Sequence, residues 1–193
     1  MSEVLVDFIT SLDGYGAAEG WPGWWGLEGP EYLAWLGEEL DPDTAVLMGA
    51  NTYRLMAGFA ADGEPGTDVL AGLNKIVFST TLTEPLEWAN TRLVARDAVE
   101  AVREMKSEAA PSMRTMGSVS VCRALLAAGL VDLFRVVVFP VITGNTGRDR
   151  IYDGYPDVGL EMVRSRTFDG SIQLLEYIPT VLTGPPAAAS SNA

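Results

Sequence analysis

The stretch 113–132, MRTMGSVSVCRALLAAGLVD, holds the residues best suited to chemistry: a short strand-like run reaches Gly117-Ser118 and turns directly into an apolar helical pattern. A junction of this kind aims the free N–H groups of the first helical turn beyond the strand end, where they suit a phosphate or pyrophosphate. Gly117 permits close approach of a ligand to the backbone, and Ser118 and Ser120 supply either a helix cap or hydroxyl donors. The same residues also read as an ordinary N-cap, so the junction alone leaves both readings open. It is not the dinucleotide fingerprint GxGxxG, because Val119 and Cys122 break that spacing.

Histidine is absent. That excludes Ser-His-Asp and Cys-His triads, histidine zinc sites and a histidine general base within this chain. Any proton comes from a carboxylic acid, a tyrosine, a lysine or water. With one cysteine, only an all-oxygen metal site is left, and the acidic residues are scattered rather than gathered in a DxDxDG-type loop, so no metal is expected. Cys122 lies on the apolar helix after Gly117, which favours a buried, inert thiol.

These residues must be positioned by a chain of 193 residues, 48% hydrophobic and 20% charged, a composition suited to one well-cored domain. The formal net charge of −13, from 26 acidic against 13 basic residues, disfavours nucleic acid or an anionic membrane surface as partner. No apolar run approaches the roughly 20 residues of a membrane span. The N-terminal MSEVLVDF lacks a signal pattern, so a cytoplasmic location is expected.

Strand patterns alternate with helical ones. Residues 3–9 read as a buried strand closed by the SLDG turn at 11–14, and 15–29 as a Gly-rich loop holding Trp21, Trp24 and Trp25. That loop either covers the core or a cleft, or meets a second subunit. Residues 30–40 read as a helix opened by Pro30, 44–49 as a strand ending in Gly, and 51–60 as a short helix. Further strands are expected at 75–79, 92–95, 113–116 and 133–142, a helical turn at 68–73, a helix at 98–108, and a Gly-rich loop over GNTGRDR. Residues 160–167 and 172–178, joined by Phe168-Asp169-Gly170-Ser171, make a hairpin. The expectation is an α/β domain over 1–180, with a mostly parallel sheet carrying an antiparallel C-terminal hairpin and flanking helices, and a disordered tail at 181–193.

SLDGY at 11–15, MGANTY at 48–53, KIVFSTTL at 75–82, WANT at 88–91, MGSVSVCRALLAAGLVD at 116–132 and FPVITGNTG at 139–147 stand in an order and spacing that resembles dihydrofolate reductase-like proteins. The similarity is greatest to the branch of the C-terminal reductase domain of the bifunctional riboflavin-biosynthesis deaminase-reductase, and it covers about residues 3–178. It implies a dihydrofolate reductase-like fold, a twisted sheet of about eight strands, with NADPH across the strand ends and a substrate cleft beside the nicotinamide.

The resemblance also implies particular contacts. Gly49, Asn51 and Thr52 match the turn that holds the adenosine-side phosphates, and Ser79, Thr80, Thr81 and Leu82 match the segment beside the adenine ribose. Met116, Gly117, Ser118, Val119 and Ser120 match the pyrophosphate loop. Ala50 stands where the family usually has an arginine facing the 2′-phosphate, and Val119 where a glycine is common. Loss of that arginine removes a contact of about 1.5–3 kcal/mol, which makes NADH possible unless Arg54 or Arg96 substitutes.

On the substrate side, the resemblance implies a carboxylate just before the Leu33-Ala34-Trp35 stretch, which Glu31 matches to within one residue of register. Asp13 lies where nicotinamide and substrate meet. Either would polarise or protonate a C=N or C=O group as hydride arrives. Their plainer readings are a helix N-terminal acid and an Asp-Gly turn. The function expected is an NAD(P)H-dependent reductase of a small heterocyclic or imine-like substrate. The alternative is a silent nucleotide-, flavin- or pterin-binding protein of the same fold. The apolar run at 133–142 and the indole-rich loop point to a homodimer.

Overall fold

The computed structural model describes residues 2–64, 67–108 and 110–185. Its centre is an eight-stranded sheet in the order β5-β4-β3-β6-β1-β7-β10-β9. These strands are β1 (Val4–Ser11), β3 (Ala45–Gly49), β4 (Lys75–Phe78), β5 (Thr91–Val94), β6 (Met113–Thr115), β7 (Leu133–Phe139), β9 (Val158–Phe168) and β10 (Ile172–Val181). From β5 to β7 every pairing is parallel, and β10 and β9 add antiparallel at the end. This is the mostly parallel sheet with a C-terminal hairpin that the sequence predicts.

Runs such as Ala45-Val-Leu-Met-Gly49 are apolar throughout because both faces of the sheet are covered. One face packs α4 (Ala98–Ser107) and α5 (Val119–Ala127) onto Val4, Val6, Phe8, Leu47 and Val136. The other carries α2 (Ala50–Ala61) and α3 (Thr67–Gly72) over Val46, Met48 and Val77, and α1 (Pro30–Glu38) over Val137, Phe139 and Leu174.

Two strands escape the sequence reading. β2 (Tyr15–Ala18) and β8 (Gly147–Arg150) pair antiparallel as a separate ribbon, inside stretches that read as Gly-rich loops. The Tyr15 ring lies so close to Gly147 that a β-carbon there would come within 2.5 Å of it, which accounts for the glycine. The apolar run expected as a strand to 142 stops at Phe139, before Pro140, and β7 lies between β1 and β10. Its hydrophobicity is that of an inner strand, so it does not itself argue for an interface. Of the tail expected at 181–193, β10 takes in Val181 and residues 186–193 lie outside the described residues.

Between the cores under α1 and α2 the sheet carries charge. Asp7, Arg135 and Glu176 sit side by side on β1, β7 and β10. Arg135 is buried and its Nε donates to Glu176 Oε1 at 2.7 Å, its Nη2 to Glu39 Oε2 at 2.6 Å, while Nη1 lies 3.6 Å from Asp7 Oδ2. Arg114 also pairs with Asp7 and donates to the Glu39 carbonyl at 3.1 Å, at the C-terminal end of α1. Removing one member of such a group leaves buried charge uncompensated, at a cost of about 3–5 kcal/mol. Arg135→Met is therefore expected to lower unfolding stability by about that amount, read as a lower urea midpoint at unchanged m-value.

Candidate functional site

Because the strands from β5 to β7 are parallel, their C-terminal ends share one edge, and α2 and α5 both start there. α2 follows Gly49 directly. The chain leaves β6 through Met116, whose N–H donates to the Leu47 carbonyl at 2.9 Å, and then holds two left-handed residues in succession, Gly117 (φ 64°) and Ser118 (φ 63°). Glycine meets that geometry without strain; serine there is uncommon.

Ser118 does not cap its own helix. Its Oγ accepts the Gly49 N–H at 2.7 Å and lies 3.0 Å from Thr52 Oγ1. The hydroxyl thus joins the N-terminus of α5 to that of α2. A β-carbon on Gly49 would come 2.6 Å from this oxygen, so only glycine allows the junction to close. The N–H groups of Gly117 and Ser118 have no backbone acceptor among the described residues, and the first-turn N–H groups of both helices have none within their helices. Two helix N-termini therefore present donors and positive dipole ends at one place.

The arrangement suits an anionic group such as a pyrophosphate, with the Gly49 N–H itself already given to Ser118 Oγ. It offers less to a 2′-phosphate. Ala50 contributes a methyl group, Arg54 Nη1 donates to Asn51 Oδ1 at 3.3 Å, and Arg96 is held by Glu104 on α4. Ser79, beyond the end of β4, accepts N–H bonds from Thr81 and Leu82, each at 3.1 Å. That turn leaves Thr80 exposed on the same edge.

The substrate side has a different character. Asp13 accepts from Ser11 Oγ at 2.6 Å, Gly144 N at 2.9 Å and Thr143 N at 3.2 Å. Burial alone would raise its pKa, but the Ser11 hydroxyl and the Gly144 and Thr143 amides bring it down to about 2. It is an ionised tether between the end of β1 and the segment after β7. Glu31 is exposed, and its Oε2 accepts the Asp169 N–H at 2.8 Å, while Asp169 accepts the N–H groups of Glu31 and Tyr32, each at 3.1 Å. The tip of the β9–β10 hairpin is thus the N-terminal cap of α1. Gly29 is the residue that makes room, since a β-carbon there would lie 2.1 Å from the Asp169 carboxyl carbon.

Of the two residues before Leu33, the inward one is Tyr32. It is buried against Phe139 and Phe168, and burial and the Asp7 carboxylate push its phenol pKa up. Trp25 packs on Phe139 at 5.4 Å between centroids. Tyr32 does not stand out in the sequence; the Trp-rich wording of the loop is the signal that marks the region. Burial pushes the Cys122 thiol up to about 12, as befits an inert core residue.

Comparison with known proteins accounts for this geometry. The model of the RibD C-terminal domain matches residues 2–174. The chain belongs to that family. The chain aligns at 24% identity with the uncharacterized protein YyaP of Bacillus subtilis, over 90% of this chain and 93% of that one. Among solved structures, a putative riboflavin biosynthesis protein from Shewanella superposes with a TM-score of 0.68 at 21% identity, covering 92% of this chain and 99% of the other. The riboflavin biosynthesis reductase Rib7 of Saccharomyces cerevisiae gives 0.63 at 15% identity, over 93% and 90%. These likenesses show the dihydrofolate reductase-like fold.

Within this RibD C-terminal domain, no group of three or more acidic or cysteine side chains able to hold a metal occurs among the described residues. No described helix is long and apolar enough to cross a membrane. The Asp13 tether makes a pH-dependent contribution of definite sign. A carboxyl held below its unfolded value stabilises the fold above the ordinary value of 3.8, and that contribution is lost as pH falls toward about 2. Asp13→Asn is expected to be less stable than the parent at neutral pH, with the gap narrowing between those two values, as read from thermal midpoints across the acid range.

Proposed function

We propose that this protein is a reductase that uses a reduced nicotinamide dinucleotide to reduce a C=N or C=O group of a small heterocyclic substrate. The observation that carries the reading is the Ser118 junction, which holds two helix N-termini together as one anion cradle. Family membership and the reductase among its structural neighbours support it. Gly117, Ser118, Val119, Ser120 and the first turn of α2 would bind the pyrophosphate. Met116 and Gly49 shape the floor, and the turn from Ser79 to Leu82 would lie beside the adenine ribose. When bound, the nicotinamide supplies hydride.

The chain's own residues then have separate tasks. Asp13, ionised at neutral pH, positions the Thr143-Gly144 segment against the end of β1. Glu31, exposed on the first turn of α1, accepts the Asp169 N–H and fixes the tip of the β9–β10 hairpin against that helix. Tyr32 and Phe139 pack edge-on in the core behind this carboxyl and hold the start of α1 against the end of β7. A second reading, a protein of this fold that binds a nucleotide, flavin or pterin without turnover, is favoured by the engagement of both Asp13 and Glu31 with backbone N–H groups. Oxidation of NADPH in the presence of a reducible heterocycle separates the two.

Calorimetric titration with NADPH and NADH tests the pocket. The parent is expected to bind both with little preference. Gly117→Asp places a negative charge where the pyrophosphate lies and abolishes binding while leaving the circular dichroism spectrum intact. Ala50→Arg is expected to favour NADPH by about tenfold to a hundredfold, the equivalent of about 1.5–3 kcal/mol from one charge-assisted contact. A Gly117→Asp variant that binds like the parent assigns the pocket wrongly.

The protein pairs with a second copy in this reading. The surface that argues for it is β9, the sheet's outermost strand, where Leu160, Met162 and Val163 are exposed beside Ile178 of β10. An exposed apolar edge strand is a template for further pairing. Light scattering at micromolar concentration is expected to give twice 20.7 kDa, and Met162→Lys the monomer mass.

A further inference from the structure

α4 has to carry the chain from the outermost strand on its side, β5, back across β4 and β3 to β6. Between the helix and β5 the sheet is left open as a trough of about 710 Å³, a size within the range of small-molecule sites. It lies at the N-terminal ends of the parallel strands, where Ala45, Lys75, Thr91 and Met113 begin β3, β4, β5 and β6. The Ser118 junction is at the opposite ends. The floor of the trough is apolar, from Ile76 of β4 and Val94 of β5, and Met105 of α4 forms part of a wall. Arg92 shares that face, because it stands beside Ile76 in the register of β4 and β5 and side chains alternate along a strand. Two arginines therefore reach from the β5 side toward α4. Arg96, just past the end of β5, is answered: it pairs with Glu104, and Glu108 acts on the same guanidinium. Arg92 is not. Among the described residues its guanidinium meets no carboxylate, and its Nη2 finds the Met105 sulfur at 3.9 Å, a weak acceptor. In a chain with twice as many acidic as basic residues, an arginine that lines a cavity without a carboxylate leaves a fork of donors open to an anion from outside.

We propose that this trough is a second ligand site, remote from the strand ends given to the nucleotide, and that it takes a small organic monoanion: a carboxylate on the Arg92 guanidinium, with an apolar body lying over Ile76, Val94 and Met105. Three features set the class of ligand. The guanidinium matches a carboxylate in planar, two-point geometry. The apolar floor rewards hydrocarbon attached to that carboxylate, because a bare anion buries no apolar surface. Glu104 and Glu108 line the same trough, so a dianion such as phosphate meets repulsion that a single charge meets less of. The contact that the ligand displaces, between Arg92 and the Met105 sulfur, is weak. The inference stands independently of the reductase reading, since none of the residues that reading gives to the cofactor or the substrate lines this trough.

The probe is 4-phenylbutyrate, titrated into the intact protein and followed by calorimetry and by backbone-amide NMR. The carboxylate is expected to shift the amides of residues 91–94 and 101–108 while leaving those of Gly117 to Ser120 in place. Arg92→Gln is expected to bind it about tenfold or more weakly, the loss of one charge-assisted contact. Arg103, also exposed and also on α4 but outside the trough, supplies the control for net charge: Arg103→Gln is expected to bind like the parent. Both replacements are at exposed positions, so neither disturbs the core. 4-Phenylbutylamine, the same body with the opposite charge, and inorganic phosphate are expected to leave these amides unmoved at the concentration at which the carboxylate saturates. No binding by the parent, shifts that fall at Gly117 to Ser120 instead, an affinity in Arg92→Gln equal to the parent's, an equal loss in Arg103→Gln, or binding of the amine or of phosphate as tight as that of the carboxylate overturns the proposal.

Discussion

The buried guanidinium of Arg135 is the constraint around which this fold is arranged. It lies in the middle of the sheet, where a charge is costly unless every neighbour answers it, and the answers come from four groups on three elements: Asp7 on β1, Glu176 on β10, and, from α1, Glu39 at its end and the Trp35 ring at 5.2 Å. Moving Asp7 or Glu176 by a residue would flip its carboxylate out of reach, because side chains alternate faces along a strand. The hydrophobic layers under α1 and α2 are interchangeable in kind; the charged seam between them is not. It sets the register of β1 against β7 and of β7 against β10, and with it the positions of the strand ends where ligands would bind.

At those ends the logic is reversed. The edge that carries the Ser118 junction offers backbone donors and dipoles, with little formal positive charge beside them. For a chain of net charge −13 this is a consistent solution. Local N–H groups attract an anion at short range, while the overall field repels polyanions. The region around the start of α1 is aromatic and largely closed, and Asp13 and Glu31 are engaged by backbone amides.

Much of this was legible in the residues, and the rest was hidden for identifiable reasons. The parallel strands announced themselves as apolar runs, and the hairpin by Asp169-Gly170 at its turn. The same Asp169 shows the limit. Its role as cap of α1 depends on contact across 138 residues, and no local pattern carries that. β2 and β8 were missed for the same reason, since two short Gly-containing strands gain their stability from each other. Gly117 and Ser118 could be read as ligand-facing, but Ser118 reaching to Gly49 rather than to its own helix could not. Glu31 and Tyr32 differ by one register step, which the sequence left open and the aromatic packing of Tyr32 resolves in favour of the tyrosine as the inward residue. Asp13 was visible as a residue of interest, though its three hydrogen bonds come from partners on both sides of it in the chain.

The hairpin cap has a consequence for the order in which the molecule can be made. α1 emerges early in synthesis, but the carboxylate that receives its first N–H groups belongs to Asp169, and one of the carboxylates that neutralises Arg135 belongs to Glu176. A nascent chain that has reached only β7 therefore carries an uncapped helix, an arginine short of one of its carboxylates and an open strand edge. Such a chain has every reason to pair wrongly with its neighbours. Only when the last two strands clear the ribosome do the helix, the charge and the edge close in one step, so the first third of the protein acquires its native form on the arrival of the last.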